Sequence, residues 1–216
     1  TEDNYMEYWE RRWATNQTGW HRQNFNYLLT KHWPKINAPV KGKVLIPLCG
    51  KSLDMLWFAD IGYNVTGVEL APTAIKEFFA DNDMIPECIN RGNYNEFSSG
   101  SFTILNGNIL DFKPGLIMAD AWYDRAAMIA LPPQQREKYI RQIAQQTKSG
   151  AVGLLITYTY PQNEMTGPPF SLEDKDVRIL FSHGFEVEQL ERIELEDEKG
   201  RGLSSISSSV FKITKK

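Results

Sequence analysis

Lys43-Val44-Leu45-Ile46-Pro47-Leu48-Cys49, closed by Gly50, is a short apolar run bounded by a chain breaker. A run of that length with no polar alternation reads as a buried strand of a parallel sheet. Ser52 to Ile61 then follows a helical pattern that Gly62 stops, and Asn64-Val65-Thr66-Gly67-Val68-Glu69-Leu70 is a second strand. Strand, helix and strand in so short a span form one crossover unit, which makes the two strands parallel. Pro72 suits the first turn of the next helix, and Ile75, Phe78 and Phe79 give that helix an apolar stripe.

The alternation continues toward the end of the sequence. Residues 86–101 carry Gly, Asn and Ser and read as irregular structure or a small hairpin. Phe102 to Asn108 is a third strand and Ala121 to Asp124 a fourth. Pro132-Pro133 opens a helix with Ile140, Ile143 and Ala144 on its core face. Gly150 to Tyr160 is a long strand. Asp174 to Ser182 is a helix with Val177, Leu180 and Phe181 inward. Phe185 to Leu195 and Ser205 to Lys215 are strand-like runs joined by the charged loop 196–202, with no room for a helix, so they pair antiparallel. The pattern predicts a doubly wound α/β domain with a mostly parallel sheet, covered on both faces, and antiparallel strands at one edge. Residues 1–40 form a helical, aromatic-rich lead-in outside this alternation.

Composition excludes more than it selects. The chain has 216 residues, a formal net charge of −3, 42% hydrophobic and 24% charged residues. That is a globular composition for a single domain, with no internal repeat. Two cysteines, Cys49 and Cys88, make neither a disulfide framework nor a four-ligand zinc site. No apolar run reaches the length of a membrane span. The acidic opening Thr1-Glu2-Asp3-Asn4 lacks a signal-peptide profile, and the near-neutral charge gives no nucleic-acid footprint. The expectation is a cytoplasmic monomer. Three of the 6 tryptophans, Trp9, Trp13 and Trp20, fall in the first twenty residues.

Ligands of open α/β sheets sit beyond the carboxyl ends of the strands, at the winding reversal. Here that is the loop Pro47 to Asp54, and three ligands compete for it. Gly50-Lys51-Ser52 resembles the end of a phosphate-binding loop, but Leu45 stands where that motif needs its first glycine. A dinucleotide site needs three spaced glycines, and only Gly50 is present. Glu69 ends the second strand about twenty residues after Gly50, the place of a ribose-binding carboxylate. Its alternative reading is a cap for the helix near Pro72. Ribose recognition without a pyrophosphate loop points to S-adenosylmethionine, whose sulfonium favours aromatic faces and carboxylates.

Several motifs then carry a family likeness. Pro47 to Met55 followed by Gly67-Val68-Glu69-Leu70 resembles thiopurine S-methyltransferases. So do Tyr123-Asp124-Arg125-Ala126-Ala127-Met128-Ile129-Ala130-Leu131-Pro132-Pro133, the turn Gly167-Pro168-Pro169-Phe170, and Trp9-x3-Trp13 followed by Gly19-Trp20-His21. The likeness runs in order over nearly the whole chain, and bacterial-type members are the nearest in pattern. It implies a class I methyltransferase fold, a seven-stranded sheet with an antiparallel last strand, as one domain over 1–216. It implies S-adenosylmethionine as methyl donor and a small aromatic or heterocyclic thiol as acceptor. By the same likeness the donor site falls on Trp13, Leu48, Glu69 and Arg125, with Gly50 for close approach. The segment from Trp9 to Trp20 closes over the donor as a lid, and Asn108-Ile109 holds the adenine. Two positions depart from the family pattern. Trp20 stands where members carry Phe before the His and reshapes the acceptor pocket. Tyr63 replaces a common His, with little effect expected.

Methyl transfer from a sulfonium to a thiolate is an in-line displacement with a neutral leaving group. An acidic heterocyclic thiol is already ionised near neutral pH, so positioning and water exclusion carry most of the catalysis. Arg125, at the carboxyl end of the fourth strand, is the candidate catalytic and acceptor-binding residue, because a guanidinium steadies a thiopurine anion. The competing reading pairs it with Asp124 for loop structure. His21 and Phe170 are candidate acceptor contacts, though a His beside a Trp also suits a structural role. Tyr5, Trp9 and Trp13 recur on one helical face, a pattern that serves core packing as well as a lid. Cys49 reads as a small apolar neighbour of the donor. Selenium or tellurium acceptors suit the same displacement. From another class, a nicotinamide oxidoreductase and a non-catalytic adenosylmethionine-binding module compete.

Overall fold

The computed structural model describes residues 2–16, 24–196 and 202–216. The apolar run at the centre of the sequence forms strand β1 (Gly42–Pro47). Its side chains alternate across the sheet: Val44 and Ile46 enter one core, Leu45 the other. That period of two is why a continuous apolar run is required here, since both faces are buried.

Strand β1 pairs in parallel with β2 (Tyr63–Glu69) on one side and with β6 (Ala119–Asp124) on the other. Beyond β2 lie β5 (Phe102–Asn106), parallel, then β4 (Asn95–Ser99) and β3 (Glu87–Asn90), both antiparallel to their neighbours. Beyond β6 lie β7 (Thr147–Thr159), parallel, then β9 (Ser207–Lys215) and β8 (Phe185–Glu194). Together they form one nine-stranded sheet. Without the β3–β4 hairpin, the seven core strands taken in chain order lie as 3-2-1-4-5-7-6.

This refines the expectation in two ways. Nine strands form, because residues 86–101 extend the sheet as a hairpin. At the opposite edge only β9 runs antiparallel to its neighbours. It slots between β7 and β8, in register from Val152↔Thr214 to Thr159↔Ser207, and leaves β8 outermost and parallel to β7.

Helices cover both faces, and the lead-in divides. Helix α2 (Tyr27–His32) and the turn Trp33–Lys35 pack with α3 (Asp54–Asp60) and α4 (Pro72–Asp81) on one face. Tyr63 belongs to that layer. It is buried, accepts from Trp33 Nε1 at 3.2 Å and donates to the Pro39 carbonyl. Helices α5 (Ala127–Ala130), α6 (Arg136–Gln146) and α7 (Asp174–Leu180) cover the other face. There Trp122 fills the space over Gly153, where a Cβ would come within 2.1 Å of its ring. Helix α1 (Glu2–Ala14) stands apart from both layers and touches α4. Among the described residues, no helix is long and apolar enough to cross a membrane.

Candidate active site

The sheet reverses its winding between β1 and β6, so their carboxyl ends open a crevice, as the general rule for such sheets requires. A cavity of about 240 Å³ lies there. Its two ends are made differently.

At one end, the chain leaves β1 through two left-handed residues, Leu48 (φ 49°) and Gly50 (φ 53°). Such a backbone is costly at Leu48 and persists only where the surroundings fix it. The Cys49 N–H donates to the Val68 carbonyl at 3.1 Å, holding the turn against β2. Glu69, at the end of β2, closes the arrangement. Its carboxylate accepts from Gly50 N–H at 3.0 Å and from Ala71 N–H at 2.7 Å. The residue is 6% exposed. Burial pushes its pKa up to about 7, against the pull of the Ala71, Gly50 and Leu70 N–H groups. A carboxylate offers about four lone-pair sites, so two backbone donors leave capacity for ligand hydroxyls. Cys49 is buried beside it, and burial followed by the nearby Glu69 charge keeps its thiol protonated.

Helix α1 roofs this end. Trp13 is 3% exposed and packs on Ala71 and Ala74. Its ring lies so near Gly50 that a Cβ there would sit 2.8 Å from Cζ2. Trp9 flanks it, with Tyr8 edge-on at 5.0 Å. Glu10 fastens the roof: it accepts from Thr73 N–H at 3.3 Å and from the Thr73 hydroxyl, in the first turn of α4. Glu10 thus caps the first turn of α4, while Glu69 holds the N–H of Ala71, the residue that precedes that helix, so the capping alternative for Glu69 holds in part.

The other end is apolar. Ile129, Tyr158, Met165, Pro169, Leu203 and Ile206 line it, with Arg125 between the two ends. Arg125 follows the last residue of β6, and alternation along that strand decides its neighbours. Tyr123 and Arg125 turn to the α3 side, where the Tyr123 hydroxyl donates to Asp54 Oδ2 at 2.9 Å and Arg125 Nη1 lies 3.9 Å from that oxygen. Asp124 turns the opposite way. It accepts from Ala127 and Met128 N–H and, at 2.5 Å, from the Tyr139 hydroxyl. Its pKa rises to about 6 through burial. Arg125 therefore faces Asp54, not Asp124.

Trp9, Trp13, Leu48, Gly50, Glu69 and Arg125 thus converge on one cavity. Asn108, Ile109 and Phe170 do not line it. The Asn108 side chain accepts from Leu110 N–H at 3.0 Å, Ile109 is buried in the core, and the Phe170 ring lies against Gly167. Trp20 and His21 lie outside the described residues. Sequence reading did not single out Tyr8, Arg12, Asp54, Met165, Leu203 or Ile206. Tyr8 and Arg12 carried a signal, because they follow one another at i, i+4 on the helix that bears Trp9 and Trp13, with the guanidinium 5.4 Å from the Tyr8 ring. Lys51, the lysine of the phosphate-loop reading, bonds instead to Glu77 and Asp81 of α4 at 3.0 and 3.1 Å.

The donor set suits S-adenosylmethionine. It has a buried carboxylate for ribose hydroxyls, a tight backbone turn for close approach, aromatic rings for a sulfonium, and no phosphate cradle. With the 3-2-1-4-5-7-6 sheet, this defines a class I, S-adenosylmethionine-dependent methyltransferase. Solved structures share the fold. One is a Burkholderia thailandensis 1,6-didemethyltoxoflavin-N1-methyltransferase with bound S-adenosylhomocysteine, at TM-score 0.65 and 11% identity, covering 98% of this chain and 87% of that one. Another is a SAM-dependent methyltransferase from Methanosarcina mazei, at TM-score 0.65 and 16% identity, covering 89% and 98%.

The chain belongs to the thiopurine S-methyltransferase family, whose pattern it matches over residues 5–216. A Thiopurine S-methyltransferase of Pseudomonas aeruginosa (strain UCBPP-PA14) is 39% identical over 187 residues, 86% of each chain. One of Xanthomonas axonopodis pv. citri (strain 306) is 38% identical over 215 residues, 97% of this chain and 98% of that one. Family membership makes S-adenosylmethionine the methyl donor and sets aside the nicotinamide oxidoreductase.

Proposed function

We propose that this protein methylates the sulfur of small aromatic or heterocyclic thiols of the thiopurine kind, with S-adenosylmethionine as donor. The observation that carries the proposal is one cavity that holds both the buried Glu69 carboxylate with its tight backbone turn and an apolar wall, with Arg125 among its lining residues. When bound, S-adenosylmethionine supplies an electrophilic methyl group on a good, neutral leaving group.

Every other contribution comes from the chain. Glu69 accepts the ribose hydroxyls while its backbone partners hold it still. The turn at Leu48 and Gly50 lets main chain approach the donor. Trp9 and Trp13, on α1, form a lid that excludes water and offers an aromatic face to the sulfonium. Arg125 steadies the anionic acceptor by charge-assisted hydrogen bonds. The apolar end takes the heterocycle and keeps its thiolate poorly solvated, which favours attack. No side chain needs to remove a proton from a thiol that is already ionised.

The same reading makes the chain a single-domain cytoplasmic monomer without a nucleic-acid partner, supported by one continuous sheet and a modest net charge. The test is transfer of a labelled methyl group to 6-mercaptopurine and a panel of thiols. Arg125→Ala should raise the acceptor KM about tenfold, about 1.4 kcal/mol, and weaken the donor Kd by less. Methylation of no thiol at all defeats the proposal.

A further inference from the structure

Asp54 is a buried carboxylate in contact with two residues of the cavity wall. It is 1% exposed, at the start of α3. Three groups from two distant parts of the chain meet on it. Oδ1 accepts from Asn26 N–H at 2.8 Å, at the residue whose own side chain caps α2. Oδ2 accepts from the Tyr123 hydroxyl at 2.9 Å and lies 3.9 Å from Arg125 Nη1. Both Tyr123 and Arg125 line the cavity.

A charge this deeply buried is kept only when paired and hydrogen-bonded, and these partners meet both conditions. The Arg125 distance is informative. At 3.9 Å, Asp54 pairs with the guanidinium by charge, beyond the length of a hydrogen bond. A guanidinium has five N–H donors in a fixed fork, so its value to an acceptor anion depends on aim as well as charge. The Tyr123 hydroxyl occupies the same carboxylate oxygen and fixes where that charge sits.

We propose that Asp54 is the positioning residue for Arg125: braced by Tyr123 and Asn26, it aims the guanidinium at the acceptor end of the cavity. The proposal rests on the reading of Arg125 as the acceptor contact. The same carboxylate holds the main chain at the entry to α2, so the aim of the arginine and the seating of that helix share one anchor.

The test is a double-mutant cycle with the full-length protein, 6-mercaptopurine as acceptor, and S-adenosylhomocysteine calorimetry for the donor site. Asp54→Asn keeps an oxygen for Asn26 N–H, turns an amide N–H toward the Tyr123 hydroxyl oxygen, and removes the charge. It should raise the acceptor KM about tenfold, leave the donor Kd within about twofold, and add less than twofold when Arg125 is already Ala. Asp54→Glu should recover part of the loss. If Arg125→Ala raises KM while Asp54→Asn does not, or if the two effects multiply, the positioning role is overturned and the reading of Arg125 stands. If Arg125→Ala leaves KM unchanged, that reading falls and takes this one with it. Should Asp54→Asn fail to fold, Tyr123→Phe carries the test, because it removes the brace and keeps the ring. It should raise KM about threefold in the wild-type background and not when Arg125 is Ala; an equal rise in both backgrounds overturns the role.

Discussion

At the donor end of the cavity the contacts come from main chain and one carboxylate, whereas at the acceptor end they come from apolar side chains borrowed from distant segments. Glu69, Gly50 and Ala71 lie on two loops that leave neighbouring parallel strands, and their hydrogen bonds of 2.7–3.0 Å tie those loops together. Tyr158, Met165, Leu203 and Ile206 reach the other end from β7 and the connections around it. The difference is one of what a substitution can remove. Backbone N–H groups survive almost any side-chain change, so the seat of the Glu69 carboxylate is robust. The acceptor walls change with each side chain, so that end is free to vary in shape while the sheet stays intact.

Glu69→Gln strikes the donor end where side chain and backbone meet. Charge-assisted bonds to two hydroxyls are worth about 1.5–3 kcal/mol each, so donor affinity should fall about a hundredfold by calorimetry. An acceptor KM that rises equally would break the comparison. Gly50→Ala comes next. It forces a side chain into a left-handed backbone against Trp13. Strain of about 2 kcal/mol predicts donor binding about thirtyfold weaker, measured in the same way.

The effect of pH is smaller and has a definite sign. Burial raises the Glu69 pKa from 4.5 to about 7, so the fold favours the protonated form. The free protein is therefore most stabilised by this residue at low pH, and loses that contribution as pH rises from 4.5 through about 7. Donor hydroxyls need the ionised form. Affinity for S-adenosylhomocysteine should thus drop about tenfold from pH 8 to pH 6, and its thermal stabilisation of the protein should be larger at pH 8. A flat profile would contradict the ribose role. Met165→Ala sits at the bottom of the scale. It should change acceptor KM values about threefold, differently for small and large thiols, with donor Kd unchanged; loss of a few apolar contacts is of that size.

The sequence showed the same division. Gly50 and Glu69 were legible as lining of the candidate site because the sequence places them by a spacing rule, and Arg125 because strand ends face the crevice. The core strands were legible because burial on both faces demands uninterrupted apolar runs. β3 and β4 were legible only as one of two readings of residues 86–101, since Glu87-Cys88-Ile89-Asn90 and Asn95-Glu96-Phe97-Ser98-Ser99 form a partly exposed edge hairpin with little apolar pattern. Met165 and Leu203 were hidden for a different reason. Loops bring them together, and no local period records that. Gly167 to Phe170 fell between these cases: Pro168 and Pro169 line the cavity while Phe170 turns onto Gly167. Asn108, placed by family likeness alone, spends its side chain on its own turn.

The position of β9 has a consequence for how the molecule comes to be. Residues 207–215 follow every other strand in the chain, yet they lie inside the sheet between β7 and β8. While the polypeptide emerges from a ribosome, β7 waits with an unpaired edge and β8 has nothing to join. Completion of the sheet therefore waits on a long-range pairing, and until then a nascent chain exposes the unpaired edge of β7.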